Sequence, residues 1–81
     1  MFINVKKLNS KAKLPERATA TSAGADLCAC IDDDVVLMPG DRKLIPTGLA
    51  IAVPTGYGGF VFARSGLSSK FGVSLANCVG V

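Results

Sequence analysis

Residues 49–63 read Leu-Ala-Ile-Ala-Val-Pro-Thr-Gly-Tyr-Gly-Gly-Phe-Val-Phe-Ala, and this stretch decides the fold class. Its first five residues alternate large apolar side chains with alanine, a pattern typical of a half-buried β-strand. A segment rich in proline and glycine follows and predicts a turn, after which the apolar residues 60–63 predict a second strand. The stretch therefore predicts two short strands joined by a turn.

Short apolar runs separated by turns continue along the rest of the chain. Further strands are predicted around Ile3 and Val5 and over residues 25–31, 35–38, 73–75 and 79–81. Pro39-Gly40-Asp41 is a strong turn signal between two of them. Residues 67–71 predict one helical turn at most, ended by Gly72. Strands and turns at spacings of about 8 to 12 residues predict an all-β sandwich or barrel.

Composition limits the class of protein. The chain has 81 residues, of which 49% are hydrophobic, enough for one small globular domain. No apolar run approaches the roughly 20 residues of a membrane helix, and the first residues lack a signal-peptide pattern. We therefore predict a soluble, cytoplasmic protein with no membrane partner. The three cysteines are expected to be reduced thiols.

The charge pattern favours a small anionic ligand over a nucleic acid. The net charge is +3, and the lysines near the N-terminus have no aromatic residues interleaved among them, as binding to a single strand would require. A mild positive field instead attracts a polyanionic small molecule. Nucleic acid is therefore not predicted as a partner.

A polar stretch after residues 60–63 is the first candidate binding site. Arg64 offers a planar fork of donors, Ser65 a hydroxyl, and Gly66 a backbone that a ligand can approach closely. These three residue types together form an anion cradle of the kind that binds phosphate. Read alone, the stretch fits equally well as a surface turn with an arginine lying over the sheet.

Two further motifs contain candidate polar ligands. Asp26 follows the flexible Gly24 and enters a predicted strand, where its carboxylate can hold the waters around Mg²⁺. Read alone, the motif favours an ordinary turn aspartate over a ligand. Asn77 lies where two short strands meet, so its amide can pair with a base edge. Read alone, it favours a simple hairpin asparagine.

Taken in order and spacing, these motifs resemble the N-terminal part of the homotrimeric dUTP diphosphatase (dUTPase) family. The resemblance extends over the whole chain from its first strand. It rests on five segments, which correspond to the family's first motif, its connecting strands, its second motif and the opening of its third: Ala23–Ala29, Pro39–Arg42, Ile45–Leu49, Ala63–Ser68 and Asn77–Val81.

The resemblance implies a jelly-roll-like β-fold of the β-clip type, whose trimer forms three active sites at subunit boundaries. It implies hydrolysis of dUTP to dUMP and pyrophosphate with Mg²⁺ as cofactor. Asp26 would orient metal-bound water, and Arg64, Ser65 and Gly66 would hold the phosphates. The pocket for uracil and deoxyribose would be lined by Asn77, Gly80 and Val81.

The resemblance also implies that residues 1–81 are the N-terminal part of one domain, which stops inside the third motif. The family's water-activating aspartate is expected just beyond Val81, so no catalytic base is assigned here and the 81 residues alone are expected to be inactive. Two alternatives stay open. One is a dCTP deaminase of the same superfamily, although Leu67–Lys70 lacks the second arginine of that group. The other is a non-catalytic module that binds nucleotide or protein.

Overall fold

The computed structural model describes all 81 residues and contains two strands and one helix. Strand β1 spans Asn4–Lys7, strand β2 spans Leu49–Ala52, and helix α1 spans Ser65–Phe71. The two strands pair antiparallel, with Val5 opposite Ile51. Both strands fall where alternating apolar residues predict them. The predicted all-β class is confirmed, with one short helix added.

Other predicted strands are reduced to single bridges or to no ladder at all. Residues 25–31 contribute one antiparallel bridge, between Glu16 and Asp26. Residues 60–63 and 79–81 meet in another, between Val61 and Gly80. Residues 35–38 and 73–75 form no strand or β-bridge. The prediction of full strands at these places is wrong for the 81 residues, because a ladder needs a neighbouring strand as well as an apolar pattern.

Helix α1 corrects the prediction of one turn at most over residues 67–71. It has seven residues and begins at Ser65, so Ser65 and Gly66 lie in its first turn and not in a loop. The amide of Ser68 donates to the carbonyl of Arg64 at 3.0 Å, which closes that turn. Gly72 ends the helix in the left-handed conformation, with φ of 67°. At this length, α1 is far too short to cross a membrane.

Little of the chain is buried. Ala12, at 3% exposure, is the one buried residue, and large side chains such as Phe62 and Leu44 are exposed. The radius of gyration is 13.8 Å, against about 11.7 Å for a compact chain of this length. The apolar faces of the strands therefore have no second layer to cover them within these 81 residues.

The small packed centre lies beside the start of β2. Gly48 has φ of 69°, and a Cβ built there would lie 2.9 Å from Ala12 Cβ and 3.0 Å from Cys30 Sγ. The carbonyl of Gly48 accepts a hydrogen bond from the amide of Leu8 at 2.7 Å. Only glycine satisfies both the backbone angle and this close approach. The three cysteines are all free thiols.

Candidate functional site

An open cleft of about 760 Å³ lies beside residues 60–64 of the chain. Twelve of its 18 lining residues are hydrophobic, and the apolar wall includes Phe60, Phe62 and Leu75. Asp26 and Arg64 are the only charged residues in the wall. A mostly apolar cleft with a few polar groups at defined places is the usual form of a small-molecule site.

The two charged residues form an ion pair. Nη1 of Arg64 donates a hydrogen bond to Oδ2 of Asp26, across 38 residues of sequence. The side chain of Asp26 is 37% exposed and that of Arg64 is 60% exposed. The structure thus brings together the carboxylate of one predicted motif and the guanidinium of another.

Main-chain hydrogen bonds fix the backbone positions of Asp26 and Arg64. The amide of Asp26 donates to the carbonyl of Glu16 at 2.8 Å, and the amide of Glu16 donates back at 3.3 Å. Arg64 has extended backbone angles directly before α1, and its carbonyl accepts the first-turn bond from Ser68. Asp26 is therefore anchored by a β-bridge, whereas the long Arg64 side chain extends from the start of a helix.

Ser65 and Gly66 directly follow Arg64 and leave polar groups exposed at the surface. Both residues are exposed, and the Ser65 hydroxyl has no hydrogen-bond partner in the chain. A Cβ added at Gly66 would meet no atom within 4 Å. The surface above this first helical turn is therefore open to a ligand.

Residues 75–81 form a tight turn that leads into the bridge with Val61. The amide of Cys78 donates to the Leu75 carbonyl at 3.1 Å, and that of Val79 donates to the Asn77 carbonyl at 2.7 Å. Cys78, between the last two, has φ of 64°, which is unusual for a residue other than glycine. This turn leaves the Asn77 side chain exposed to solvent.

The bridge connects this turn to the strand segment that precedes Arg64. Gly80 and Val61 exchange amide-to-carbonyl hydrogen bonds of 2.8 Å and 3.0 Å. A Cβ on Gly80 would lie 3.3 Å from Val61 Cβ and 3.9 Å from Asn77 Nδ2. Val61 lines the cleft together with Asp26 and Arg64. Ser65 and Gly66, which follow Arg64 in α1, do not line it, and neither do Asn77, Gly80 and Val81. The predicted site residues therefore form two separate groups.

Sequence reasoning missed two contributors to this arrangement. Glu16 holds Asp26 through its main chain, but one charged residue after a proline gives no strand pattern by which to find it. Cys78 bears the positive φ, a position where turn statistics favour glycine or asparagine. Neither residue type signals its role.

The donor set fits Mg²⁺ in one mode only. No three metal-binding side chains lie together, and Asp26 is the single carboxylate of the cleft. Mg²⁺ commonly keeps several waters and binds through one or two carboxylates plus the phosphates of a substrate. Asp26 suits that mode, and does not suit a cage made of protein ligands alone.

Comparisons with known proteins assign the chain to a family. The family model described as dUTPase matches residues 10–81. A deoxyuridine 5'-triphosphate nucleotidohydrolase of Syntrophotalea carbinolica is 51% identical over 78 residues, which cover 96% of this chain and 53% of the relative. A protein of the same name from Desulfitobacterium hafniense is 57% identical over 70 residues, covering 85% of this chain and 46% of the relative.

A third relative of that name, from Wolbachia pipientis of Culex pipiens, is 48% identical and covers 96% of this chain and 52% of its own length. The chain thus spans about half the length of the curated relatives that it matches. The family model covers nearly the whole chain, including every residue of the cleft and of the turn at residues 75–81. The chain therefore belongs to the dUTPase family.

Proposed function

We propose that the protein acts as a dUTP diphosphatase, which uses Mg²⁺ to hydrolyse dUTP to dUMP and pyrophosphate by attack of water on the α-phosphate. Membership of the dUTPase family and the names of the relatives support this substrate. The observation that carries the proposal is the contact between Asp26 and Arg64, which puts a carboxylate and a guanidinium side by side in the wall of the apolar cleft.

The phosphate end of dUTP is assigned to the start of α1. Arg64 supplies charged donors to phosphate oxygens, Ser65 an unpaired hydroxyl, and Gly66 an open approach to the backbone. Asp26 would hold the waters of Mg²⁺, which when bound neutralises charge that develops on the phosphates. The exposure of Arg64 leaves its remaining donors free for such a ligand.

The nucleoside end is assigned to the turn at residues 75–81. Neither the side chain of Asn77 nor the main-chain amide of Val81 has a hydrogen-bond partner within the chain. An amide side chain and a free main-chain donor suit the edge of uracil, which presents both donors and acceptors. Gly80 packs closely against Val61 and so holds this turn against the segment that precedes Arg64.

The base that activates water is assigned to a segment beyond Val81. Asp26 is the only carboxylate in the cleft and is already paired, and the relatives are about twice as long as this chain. Residues 1–81 are accordingly proposed to be the N-terminal part of one domain, inactive alone. The complete protein is proposed to be a homotrimer with its sites at subunit boundaries.

Release of pyrophosphate from dUTP tests the proposal. The protein expressed from its complete reading frame should release pyrophosphate from dUTP with Mg²⁺, and should release no ammonia from dCTP. Ammonia release would assign a deaminase instead. Binding of dUMP without turnover of dUTP by the complete protein would assign a non-catalytic module. The 81 residues alone serve as the comparison and should show no turnover.

A further inference from the structure

The phosphate-binding arginine already has an anion as its partner. Nη1 of Arg64 donates to Oδ2 of Asp26, and no other charged residue lines the cleft. The Asp26 carboxylate thus holds one edge of a guanidinium that has five donors in a fixed fork. A phosphate oxygen that takes this edge must displace a carboxylate oxygen.

We propose that Asp26 is a built-in competitor for the anion site, which holds Arg64 until a phosphate takes its place. The inference rests on the proposed phosphate role of Arg64 and adds a regulation of that site. It assigns Asp26 two partners in turn: the Arg64 guanidinium in the ligand-free protein, and a hydrated cation once the phosphate has arrived.

The structure indicates which partner moves. Asp26 is held by two main-chain hydrogen bonds to Glu16, and its side chain is short. Arg64 has a longer side chain that is 60% exposed, and its one side-chain hydrogen bond is the one to Asp26. The exchange therefore consists of a swing of the guanidinium while the carboxylate stays in place.

The charge balance of the cleft couples the two binding events. When Arg64 turns to a phosphate, Asp26 loses the only cation of the cleft wall. Asp26 would then be free to hold a hydrated divalent cation, which would restore the balance and keep the carboxylate from competing for Arg64. Cation and phosphate should therefore strengthen each other's binding, apart from any direct contact between them.

Pyrophosphate binding without metal tests the competition directly. The complete protein is titrated with pyrophosphate in EDTA and followed through the ¹H–¹⁵N signal of the Arg64 side chain. An exposed ion pair corresponds to a factor of up to about five in affinity. We therefore expect Asp26→Asn to tighten pyrophosphate binding by about two- to fivefold. Affinity that stays unchanged or weakens in Asp26→Asn would overturn the inference.

Two controls separate release of Arg64 from simple loss of negative charge. Asp32 pairs with Lys11 at 3.1 Å, so Asp32→Asn removes an equally charged and ion-paired carboxylate at a different place. This variant should alter the affinity by less than about twofold. In an Arg64→Gln background, Asp26→Asn should lose its effect, here followed by main-chain signals. An effect that persists in that background would overturn the inference.

A measurement on the unmodified protein does not depend on the folding of any variant. Sulfate replaces pyrophosphate because it complexes Mg²⁺ only weakly. Added Mg²⁺ should tighten sulfate binding. An unchanged sulfate affinity would overturn the inference. It would leave anion binding by Arg64, and hence the proposed function, intact. If pyrophosphate binding does not depend on Arg64 in any form of the protein, both the inference and the phosphate assignment fail.

Discussion

Gly48→Ala tests whether the small centre around Ala12 holds the strands in place. Gly48 has φ of 69°, and its added Cβ would lie 2.9 Å from Ala12 Cβ, 3.0 Å from Cys30 Sγ and 3.3 Å from Asn9 Cβ. Two of these neighbours are Cβ atoms, which move only with their main chain. The substitution therefore combines a backbone strain with a steric overlap.

The two contributions give the expected loss of stability. A left-handed conformation costs a residue with a Cβ about 1–2 kcal/mol, and overpacking costs about 1–3 kcal/mol more. We expect Gly48→Ala to lower the free energy of unfolding by about 2–5 kcal/mol. A native domain has a total stability of about 5–15 kcal/mol, so the loss is a large fraction of it.

Gly56→Ala is the matched control. Gly56 has φ of 89°, but a Cβ there would meet no atom within 4 Å. It therefore incurs the backbone strain without the overlap, and should lose about 1–2 kcal/mol. Urea unfolding of the complete protein, followed by circular dichroism, measures both variants. Equal losses in Gly48→Ala and Gly56→Ala would refute the packing argument.

Three shorter predictions concern the candidate site. Arg64→Lys keeps the charge but loses the planar fork of donors, so kcat/KM for dUTP should fall about tenfold. Arg64→Gln loses both and should lower kcat/KM about a hundredfold. Equal losses in the two variants would contradict a role for the fork. Gly66→Ala should stabilise α1 by up to about 1 kcal/mol in urea unfolding, because alanine is the better helix former and its Cβ meets no protein atom. The same Cβ lies where the proposed ligand approaches, so pyrophosphate binding should weaken. Unchanged binding would show that Gly66 is not part of the anion cradle. Cys78→Gly relieves a positive φ of 64° and should raise the free energy of unfolding by up to about 1 kcal/mol. A lower free energy of unfolding would show instead that packing of the Cys78 side chain stabilises the turn.

The sequence predicts local features of this chain better than its pairings. The alternation at residues 49–53 fixes β2, because large side chains on one face are a property of the strand itself. Residues 35–38 have an equally strong apolar run and form no ladder, since a ladder depends on a neighbour that no local pattern specifies. The helix at Ser65–Phe71 is longer than the sequence predicts, because serine and glycine at its start are weak helix formers.

The candidate site follows the same division. The residue types at Arg64 and Asp26 suggest their chemistry from the sequence, because a guanidinium binds anions and a carboxylate binds cations, although each motif read alone also fits an ordinary turn. Their contact across 38 residues does not follow from spacing and needed the fold. The bridge between Glu16 and Asp26 brings the carboxylate to its place, and it pairs the predicted strand at residues 25–31 with a segment that has no strand pattern.

The division of the site residues into two groups leads to a last prediction. Asp26 and Arg64 line the cleft, whereas Asn77 does not. In the proposed trimer, the cleft of one subunit would meet the turn of a neighbouring subunit. Arg64→Gln and Asn77→Ala should then each inactivate the enzyme alone, yet mixed trimers of the two should regain activity. At a boundary where the intact Arg64 and the intact Asn77 come from different chains, one complete site forms.

The size of the rescue follows from counting boundaries. In trimers assembled at random from equal amounts of the two variants, about a quarter of the boundaries pair an intact Arg64 with an intact Asn77. Pyrophosphate release should therefore return to about a quarter of the unmodified rate after joint unfolding and refolding. Arg64→Gln refolded alone provides the baseline. If the subunits exchange but the mixture stays at this baseline, both groups of each site lie in one chain. A site that is complete within one chain cannot be repaired by a neighbouring chain.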